Sequence, residues 1–310
     1  MSSVLVTGGA GFIGSHIVGK LIDDGFRVRV LDNLDSGKVD NLAGVMNEIN
    51  FVKGNIRDAE TVRDVMKGAD FVFHEAAQVS IPRSVKDPME TNEINIRGTL
   101  NILEAARRGD VKKVVFASSS AVYGNVSEKD LPLKEDRMLS PPSPYAVTKL
   151  VGEHYCRIFS ELYGLETICL RYLNVYGPGQ NPDSAYAAVI PRFIRSIVRG
   201  ERPVVFGDGL QSRDFVFVKD VVQANILAMK SKVRHGVFNV GTGESVNLLQ
   251  LIEMISKISG KDIKPIFTDP RPGDIKHSLS DISKIKQELG YGPEYNLEDG
   301  LKKTMEWFTY

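Results

Sequence analysis

Hydrophobic and polar positions alternate along the first half of the chain in a way that separates short apolar runs from helical stretches. Residues 4–6, 27–31, 51–52, 71–73 and 114–116 read as five successive strands, with helices between them, the first over 13–22. A long helix is expected over 143–162, stopping before Gly164, and a sixth strand at 167–171. Strands that alternate with helices predict a parallel sheet covered on both faces. The alternation then weakens, and Pro178, Pro182 and Pro191 punctuate what reads as a loop-rich region. Further strand patterns fall at 203–206, 215–218 and 237–240, and helical patterns at 220–229, 248–256, 282–289 and 297–308. Val4, Ile22 and Leu103 are core positions by periodicity.

Composition narrows the picture. The 310 residues are 42% hydrophobic and 25% charged, with 39 basic and 39 acidic side chains, so neither nucleic acid nor an anionic membrane is an expected partner. The chain opens directly on a strand-like run and has no window of about eighteen apolar residues, so neither a signal peptide nor a membrane span is expected and cytoplasm is the expected location. Cys156 and Cys169 lie in apolar surroundings without metal-ligand spacing and read as buried thiols; no metal is expected.

The turn after the first strand carries glycines at 8, 11 and 14. Gly8 permits a tight turn, Gly11 lets a pyrophosphate approach the backbone, and Gly14 lets the helix pack close to the sheet. The helix N-terminus offers free N–H groups to the diphosphate. Asp32 closes the second strand, where a carboxylate can accept both adenosine ribose hydroxyls and repel a 2′-phosphate, so NAD is the expected cofactor. Tyr145 and Lys149 are four residues apart near the start of the long helix and share one face. An ammonium beside the phenol lowers its pKa from about 10, making Tyr145 a general base, and the positive nicotinamide acts in the same direction. The fifth strand ends in Ser118, Ser119 and Ser120, at the edge where such sheets bind ligands; any of the three can offer a hydroxyl. The fold expected is a doubly wound parallel α/β sheet of Rossmann type over residues 1–175, to which later segments return, with a smaller mixed α/β region over 176–310.

Four segments resemble the nucleotide-sugar epimerase and dehydratase family of extended short-chain dehydrogenases/reductases. They are Thr7-Gly8-Gly9-Ala10-Gly11-Phe12-Ile13-Gly14-Ser15-His16, Ser118-Ser119-Ser120-Ala121-Val122-Tyr123-Gly124, Ser143-Pro144-Tyr145-Ala146-Val147-Thr148-Lys149 and Arg171-Tyr172-Leu173-Asn174-Val175-Tyr176-Gly177-Pro178. The likeness runs over essentially the whole chain. It implies that Ser119, four residues before Tyr123, is the catalytic hydroxyl beside Tyr145 and Lys149. Implied cofactor positions are Gly8, Gly11, Phe12, Ile13, Gly14, Asp32, Asn33, Ser36, Gly37, Ile56, Ala76, Ala77, Gln78, Asn95, Ser118, Tyr145, Lys149 and Tyr172. Asn55 stands where the family often has Asp against the adenine amino group; an amide oxygen can accept the same bond.

On the substrate side the resemblance implies Asn174, Arg213 and Arg271 at the diphosphate, Val189, Val204 and Phe206 around the uracil, and Asp274 and Ser278 near the sugar. A guanidinium fork suits phosphate oxygens. Dehydratases of the family usually place an acid just after the catalytic hydroxyl, whereas this chain has Ser120 and Ala121. The expected reaction is therefore inversion at C4 of a UDP-hexose through a 4-keto intermediate with retained NAD. Ser278, where a tyrosine accompanies restriction to plain hexoses, leaves room for a 2-acetamido group. The stretches 77–84 and 186–191 likewise resemble the branch acting on UDP-N-acetylglucosamine. A UDP-glucuronate 4-epimerase, a 4,6-dehydratase or decarboxylase, and a non-catalytic NAD-sensing protein are the competing readings. Homodimers through the long helix and the helix near 90–107 are expected from the same resemblance.

Overall fold

Seven strands form one parallel sheet whose order reverses on either side of the first strand. The computed structural model describes residues 1–182, 188–270 and 276–309. Strands β1 (Ser3–Thr7), β2 (Arg27–Asp32), β3 (Ile49–Lys53), β4 (Phe71–His74), β5 (Lys113–Ser119) and β6 (Glu166–Tyr172) lie in the order β3-β2-β1-β4-β5-β6. Every neighbouring pair is parallel, as in Thr7 opposite both Leu31 and His74. The chain winds outward from β1 to β3, then returns to β4 on the far side of β1. That reversal opens a crevice at the carboxyl ends of β1 and β4.

Helices α1 (Phe12–Asp23), α2 (Ala59–Met66), α3 (Ile81–Lys86), α4 (Pro88–Asn92), α5 (Gly98–Arg108) and α6 (Pro144–Tyr163) fill the connections. The helix expected near 90–107 is continuous but changes pitch: a π turn, Glu93–Arg97, joins α4 to α5. Strand alternation sends Val4, Val6 and Val30 to one face of the sheet, against Ile17 and Val18 of α1. Leu5, Leu31 and Val72 go to the other face, against Ile102 of α5 and Cys156 of α6. Val4 and Leu103 are fully buried, and Ile22 is partly buried against the first core.

The rest of the chain forms β7 (Asn174–Tyr176), α7 (Val189–Val198), β8 (Val204–Phe206), β9 (Ser212–Arg213), β10 (Phe215–Phe217), α8 (Val218–Lys230), β11 (His235–Val240), β12 (Val246–Asn247), α9 (Leu248–Ser259), β13 (Ile266–Thr268), α10 (Ser283–Leu289) and α11 (Leu297–Thr309). β11 joins the large sheet beside β6, with Asn239 opposite Arg171, so the chain comes back to the sheet after residue 175. The remaining strands pair two by two, β7 with β10, β8 with β13 and β9 with β12, over a third core that includes Phe193, Ile194, Val205, Leu251 and Leu301. The loop expected around Pro191 is instead α7. Proline is accommodated because it stands third in the helix, where its missing N–H would have had no intrahelical acceptor. Strand β13 also escapes the sequence pattern, since all three of its residues are exposed and show no alternation. No described helix is long and apolar enough to cross a membrane.

Helix α6 is fixed at both ends and in its middle. Ser143 caps it through Ala146 N, Pro144 opens it, and Gly164 closes it in the left-handed conformation. Glu153 forms a fork with Arg171 of β6, Nε to Oε1 at 2.9 Å and Nη2 to Oε2 at 2.7 Å, with both side chains buried. Ser118 donates to Glu153, and Arg171 also donates to the Tyr123 hydroxyl at 3.0 Å. This cluster ties α6 to the strands whose ends carry the candidate catalytic groups. Removing one partner would strand the other in a dry interior. Glu153→Ala is expected to lower the unfolding free energy by roughly 3–5 kcal/mol, read from urea denaturation. Wild-type stability in that variant would show that the fork contributes little.

Candidate active site

The phosphate turn is built on contacts that exclude side chains. Gly8 has φ of +70°, and a Cβ there would lie 2.6 Å from the Ala76 nitrogen. A Cβ on Gly14 would lie 2.2 Å from the Gly8 carbonyl oxygen. The turn therefore lets β1, α1 and the end of β4 meet at backbone distance. Gly11 is the N-cap of α1; no described side chain caps the helix and its first turn contains no acid. Phe12, Ile13 and Gly14 thus begin a helix whose first N–H groups suit a diphosphate. These features fit the nucleotide cofactor expected from the sequence.

Asp32 is buried at the end of β2. Its Oδ2 accepts from Ala10 N at 3.0 Å and its Oδ1 from Leu34 N at 2.8 Å. The carboxylate therefore organises the turn, and its remaining lone pairs can accept ribose hydroxyls. Asn33 accepts from Asp35 N, and Gly37 lies so close to Ala10 that a Cβ would come within 2.8 Å of its carbonyl carbon. Ser36 precedes Gly37 in that same loop. Asn55 turns its amide oxygen to Arg57 N at 3.0 Å, so any adenine contact by that oxygen would be shared. Ile56 is wedged beneath Gly98, at the start of α5.

A buried polar chain supports the cofactor side. Thr7 Oγ1 bonds His74 Nδ1 at 2.8 Å, and His74 Nε2 bonds Thr99 Oγ1 at 3.0 Å. Burial, assisted by the Lys149 charge, pushes the His74 pKa down to about 3, so the ring is neutral. Ala76 N donates to Thr7 Oγ1 at 3.3 Å, and Ala77 follows it into the crevice. Gln78 N donates to Asn95 Oδ1 at 2.8 Å, while Asn95 Nδ2 donates to Gln78 O and to Thr148 Oγ1. Gln78 and Asn95 thus hold each other and brace α6 from behind.

Tyr145 and Lys149 occupy the first turns of α6. Lys149 Nζ donates to Ala117 O at 2.7 Å and lies 6.0 Å from the centre of the Tyr145 ring. The Ser119 hydroxyl accepts from Ala121 N at 3.2 Å and lies near enough to Tyr145 to favour its ionised form. Of the three serines, Ser119 reaches the tyrosine, whereas Ser118 turns into the Glu153 cluster and away from the crevice. The expected depression of the Tyr145 pKa is not found: burial pushes the phenol up, and Ser119 only partly offsets it. Lys149 is pushed down to about 8 by burial, against the opposing charge of Glu75. Tyr172 donates to Glu75 Oε1 at 2.9 Å and accepts from Asn225 Nδ2 at 2.8 Å. Glu75, which the sequence reading passed over, is pushed up to about 7 by burial.

The substrate side is a cleft of about 330 Å³, lined by Asn174, Val189, Val204, Phe206 and Arg213 among others. Asn174 Nδ2 donates to Ser278 Oγ at 3.2 Å, which brings two predicted residues together. Arg213 is anchored by its Nη1 on Ser212 O at 2.9 Å. Arg271, Asp274 and positions 186 and 187 lie outside the described residues. Gln211, Phe193, Phe215 and Arg192 also line the cleft, the last with its guanidinium 5.7 Å from the centre of the Phe206 ring. Sequence reasoning missed Arg192 and Phe193 because Pro191 masked the helix that carries them. Tyr145, Ser119 and Lys149 do not line this cleft; they face the crevice of the large sheet.

Known proteins match this arrangement. The model of the NAD dependent epimerase/dehydratase family matches residues 4–241. The structure of UDP-N-acetylglucosamine 4-epimerase from Methanobrevibacter ruminantium M1, in complex with UDP-N-acetylmuramic acid, superposes with a TM-score of 0.95 at 45% identity, covering 99% of this chain and 98% of that one. UDP-glucose 4-epimerase from Thermotoga maritima with UDP-glucose gives 0.94 at 43% identity over 99% and 98%. A putative UDP-glucose 4-epimerase of Methanocaldococcus jannaschii is 42% identical over 98% of this chain and 97% of its own. With the phosphate turn, the Tyr145–Lys149 helix and the sheet order in place, the chain belongs to the NAD-dependent epimerase/dehydratase family.

Proposed function

We propose that this chain is a UDP-hexose 4-epimerase that interconverts UDP-glucose with UDP-galactose and UDP-N-acetylglucosamine with UDP-N-acetylgalactosamine. The observation that carries the reading is the Tyr145–Lys149 pair in the first turns of α6, with Lys149 held on the β5 carbonyl of Ala117 and Ser119 ending that strand. Bound NAD supplies a reversible hydride acceptor for C4. Tyr145 takes the proton of the sugar 4-hydroxyl and later returns it, with Ser119 sharing the hydrogen bond to that oxygen. Lys149, fixed on Ala117 O, favours the phenolate. Burial raises the phenol, and positive charge entering the site would lower it. Gly8, Gly11, Gly14 and Asp32 are assigned to the dinucleotide, and Asn174 and Arg213 to the substrate diphosphate, with Arg271 assigned by resemblance. A 4,6-dehydratase would need an acid beside Ser119, where the short turn Ser120–Tyr123 carries none.

The relatives named above act on plain and N-acetylated sugars. The Ser278 hydroxyl, small and held by Asn174, supports acceptance of both classes. A cytoplasmic homodimer completes the proposal. Cys156 and Cys169 are both free and buried. Val147, Val151, His154, Ile158 and Leu162 form a stripe along α6, and Val147 and Leu162 are exposed, as are Val85 of α3 and Met89 of α4. Such a stripe matches a helix–helix interface between copies.

Purified protein given UDP-glucose or UDP-N-acetylglucosamine, without added NAD, is expected to yield the C4 epimer of each on anion-exchange chromatography. Tyr145→Phe should reduce turnover by a factor of about 10²–10⁴ while retaining NAD, measured by cofactor release on denaturation; near-normal turnover would remove Tyr145 from its role. Ser278→Tyr should abolish conversion of the N-acetyl pair and spare the plain pair; equal loss on both would reject the pocket argument. A Val147→Glu, Leu162→Glu double variant should run as a monomer in light scattering where the parent runs as a dimer, and an unchanged mass would move the interface elsewhere.

A further inference from the structure

Glu75 stands where the mechanism above makes no use of it. It directly follows β4, whose last residue His74 pairs with Phe116, so Glu75 flanks Ala117, the residue whose carbonyl holds Lys149. Its carboxylate is anchored from two strands away: Tyr172 of β6 donates to Oε1 at 2.9 Å, and Asn225 of α8 fixes that hydroxyl. The next residue, Ala76, is in backbone contact with Gly8 of the phosphate turn. A carboxyl group thus sits at the point where the cofactor turn and the reaction centre meet, partly buried and aimed by a hydrogen bond rather than solvated. A carboxylate in such a position is unfavourable unless positive charge accompanies it.

We propose that Glu75 is the positioning counter-charge of the reaction centre: ionised, it holds the Lys149 ammonium in its protonated form and favours the oxidised over the reduced cofactor. The inference rests on the assignment of Lys149 to the catalytic centre. The groups that face this pair are identifiable. Tyr172 and His74 lie beside Glu75, and His74 is neutral. Lys149 is faced by Glu75 and, along α6, by Cys156, Glu153 and Tyr145. Glu153 is already committed to Arg171, which leaves Glu75 as the carboxylate able to answer Lys149.

Electrostatics supports the geometry. Burial pushes Lys149 down to about 8, and Glu75 is the largest opposing influence. Burial pushes Glu75 up to about 7, against its bond from Tyr172 and the Lys149 charge. Without other charge the carboxyl is therefore only partly ionised at neutral pH, and a cation in the crevice completes its ionisation. Each charge sustains the other, so loss of Glu75 leaves Lys149 to deprotonate at lower pH.

Glu75→Gln keeps the size and the acceptor for Tyr172 but removes the charge. Thermal melting verifies that the variant folds. In epimerisation assays from pH 6 to 10 its alkaline limb should move down by about one pH unit, so that kcat at the alkaline end falls about tenfold relative to its own optimum. In cofactor-free protein studied by calorimetry, affinity for NAD should weaken several-fold more than affinity for NADH. An unmoved alkaline limb together with an unchanged NAD to NADH affinity ratio would overturn the proposal, as would a uniform loss of kcat at all pH values with that ratio intact. Lys149→Met separates the underlying assumption: near-normal turnover there would remove Lys149 from catalysis, while the affinity ratio in Glu75→Gln still reports on the carboxylate itself. Glu75→Asp, whose shorter carboxylate keeps the charge, should restore part of the NAD preference.

Discussion

Gly8 and Ala76 approach each other with no space for a side chain between them, and much of the site depends on that contact. It brings the turn after β1 against the end of β4, the two strands between which the sheet reverses its winding. Gly14 closes the same junction from the helix side, against the Gly8 carbonyl. The crevice for a dinucleotide is therefore defined by backbone atoms, whose positions vary less than those of side chains. Thr7, His74 and Thr99 continue the junction inward as a chain of hydrogen bonds, so the end of β4 cannot slide relative to β1 without breaking buried polar contacts.

Dryness is the second consequence. The same burial that excludes water from the reaction centre raises Tyr145, lowers Lys149 and raises Glu75. Every one of these shifts disfavours the charged form, so the ligand-free centre resists charge separation. A cation arriving in the crevice would favour the Tyr145 phenolate and the Glu75 carboxylate while opposing the Lys149 ammonium, because the three share one low-dielectric volume. Coupling of this kind would populate the phenolate most when a positively charged cofactor is in place.

The reading of the sequence located the sheet well because each buried strand advertises itself by an apolar run flanked by turn residues, as at Val4, Leu5 and Val6. It located Tyr145 and Lys149 because helical spacing alone places them together. It could not locate α7, since a proline in the first turn looks the same in sequence as one in a loop. It also passed over Glu75: one acid after a strand carries no periodic signal, and its partner Tyr172 lies 97 positions away. The depression expected for the phenol depended on a distance to Lys149 that spacing does not specify; Lys149 Nζ lies 6.0 Å from the ring centre, and burial is the largest influence on the phenol and raises it. The serine choice could not be made from residue types either, because Ser118 and Ser119 differ only in which side of the strand they leave. In the structure that alternation sends one to Glu153 and the other to Tyr145.

Inverting a carbon requires that one set of groups act on two faces of the same sugar. Under the proposed roles, a single hydroxyl pair could do this, because proton transfer would occur at the oxygen, which would stay near Tyr145 and Ser119 whichever face C4 presents. The groups that must not move are then the strand ends, and these are tied by the Glu153–Arg171 fork and the Gln78–Asn95 pair. Around the cleft lined by Asn174 and Arg213, short two-stranded pairs replace the large sheet. Asn174 stands at the boundary: it begins β7, lines the cleft and donates to Ser278. A nucleotide held beyond that boundary by a guanidinium would leave the hexose as the one segment free to turn, so rigidity on one side and space on the other together permit inversion without a second base.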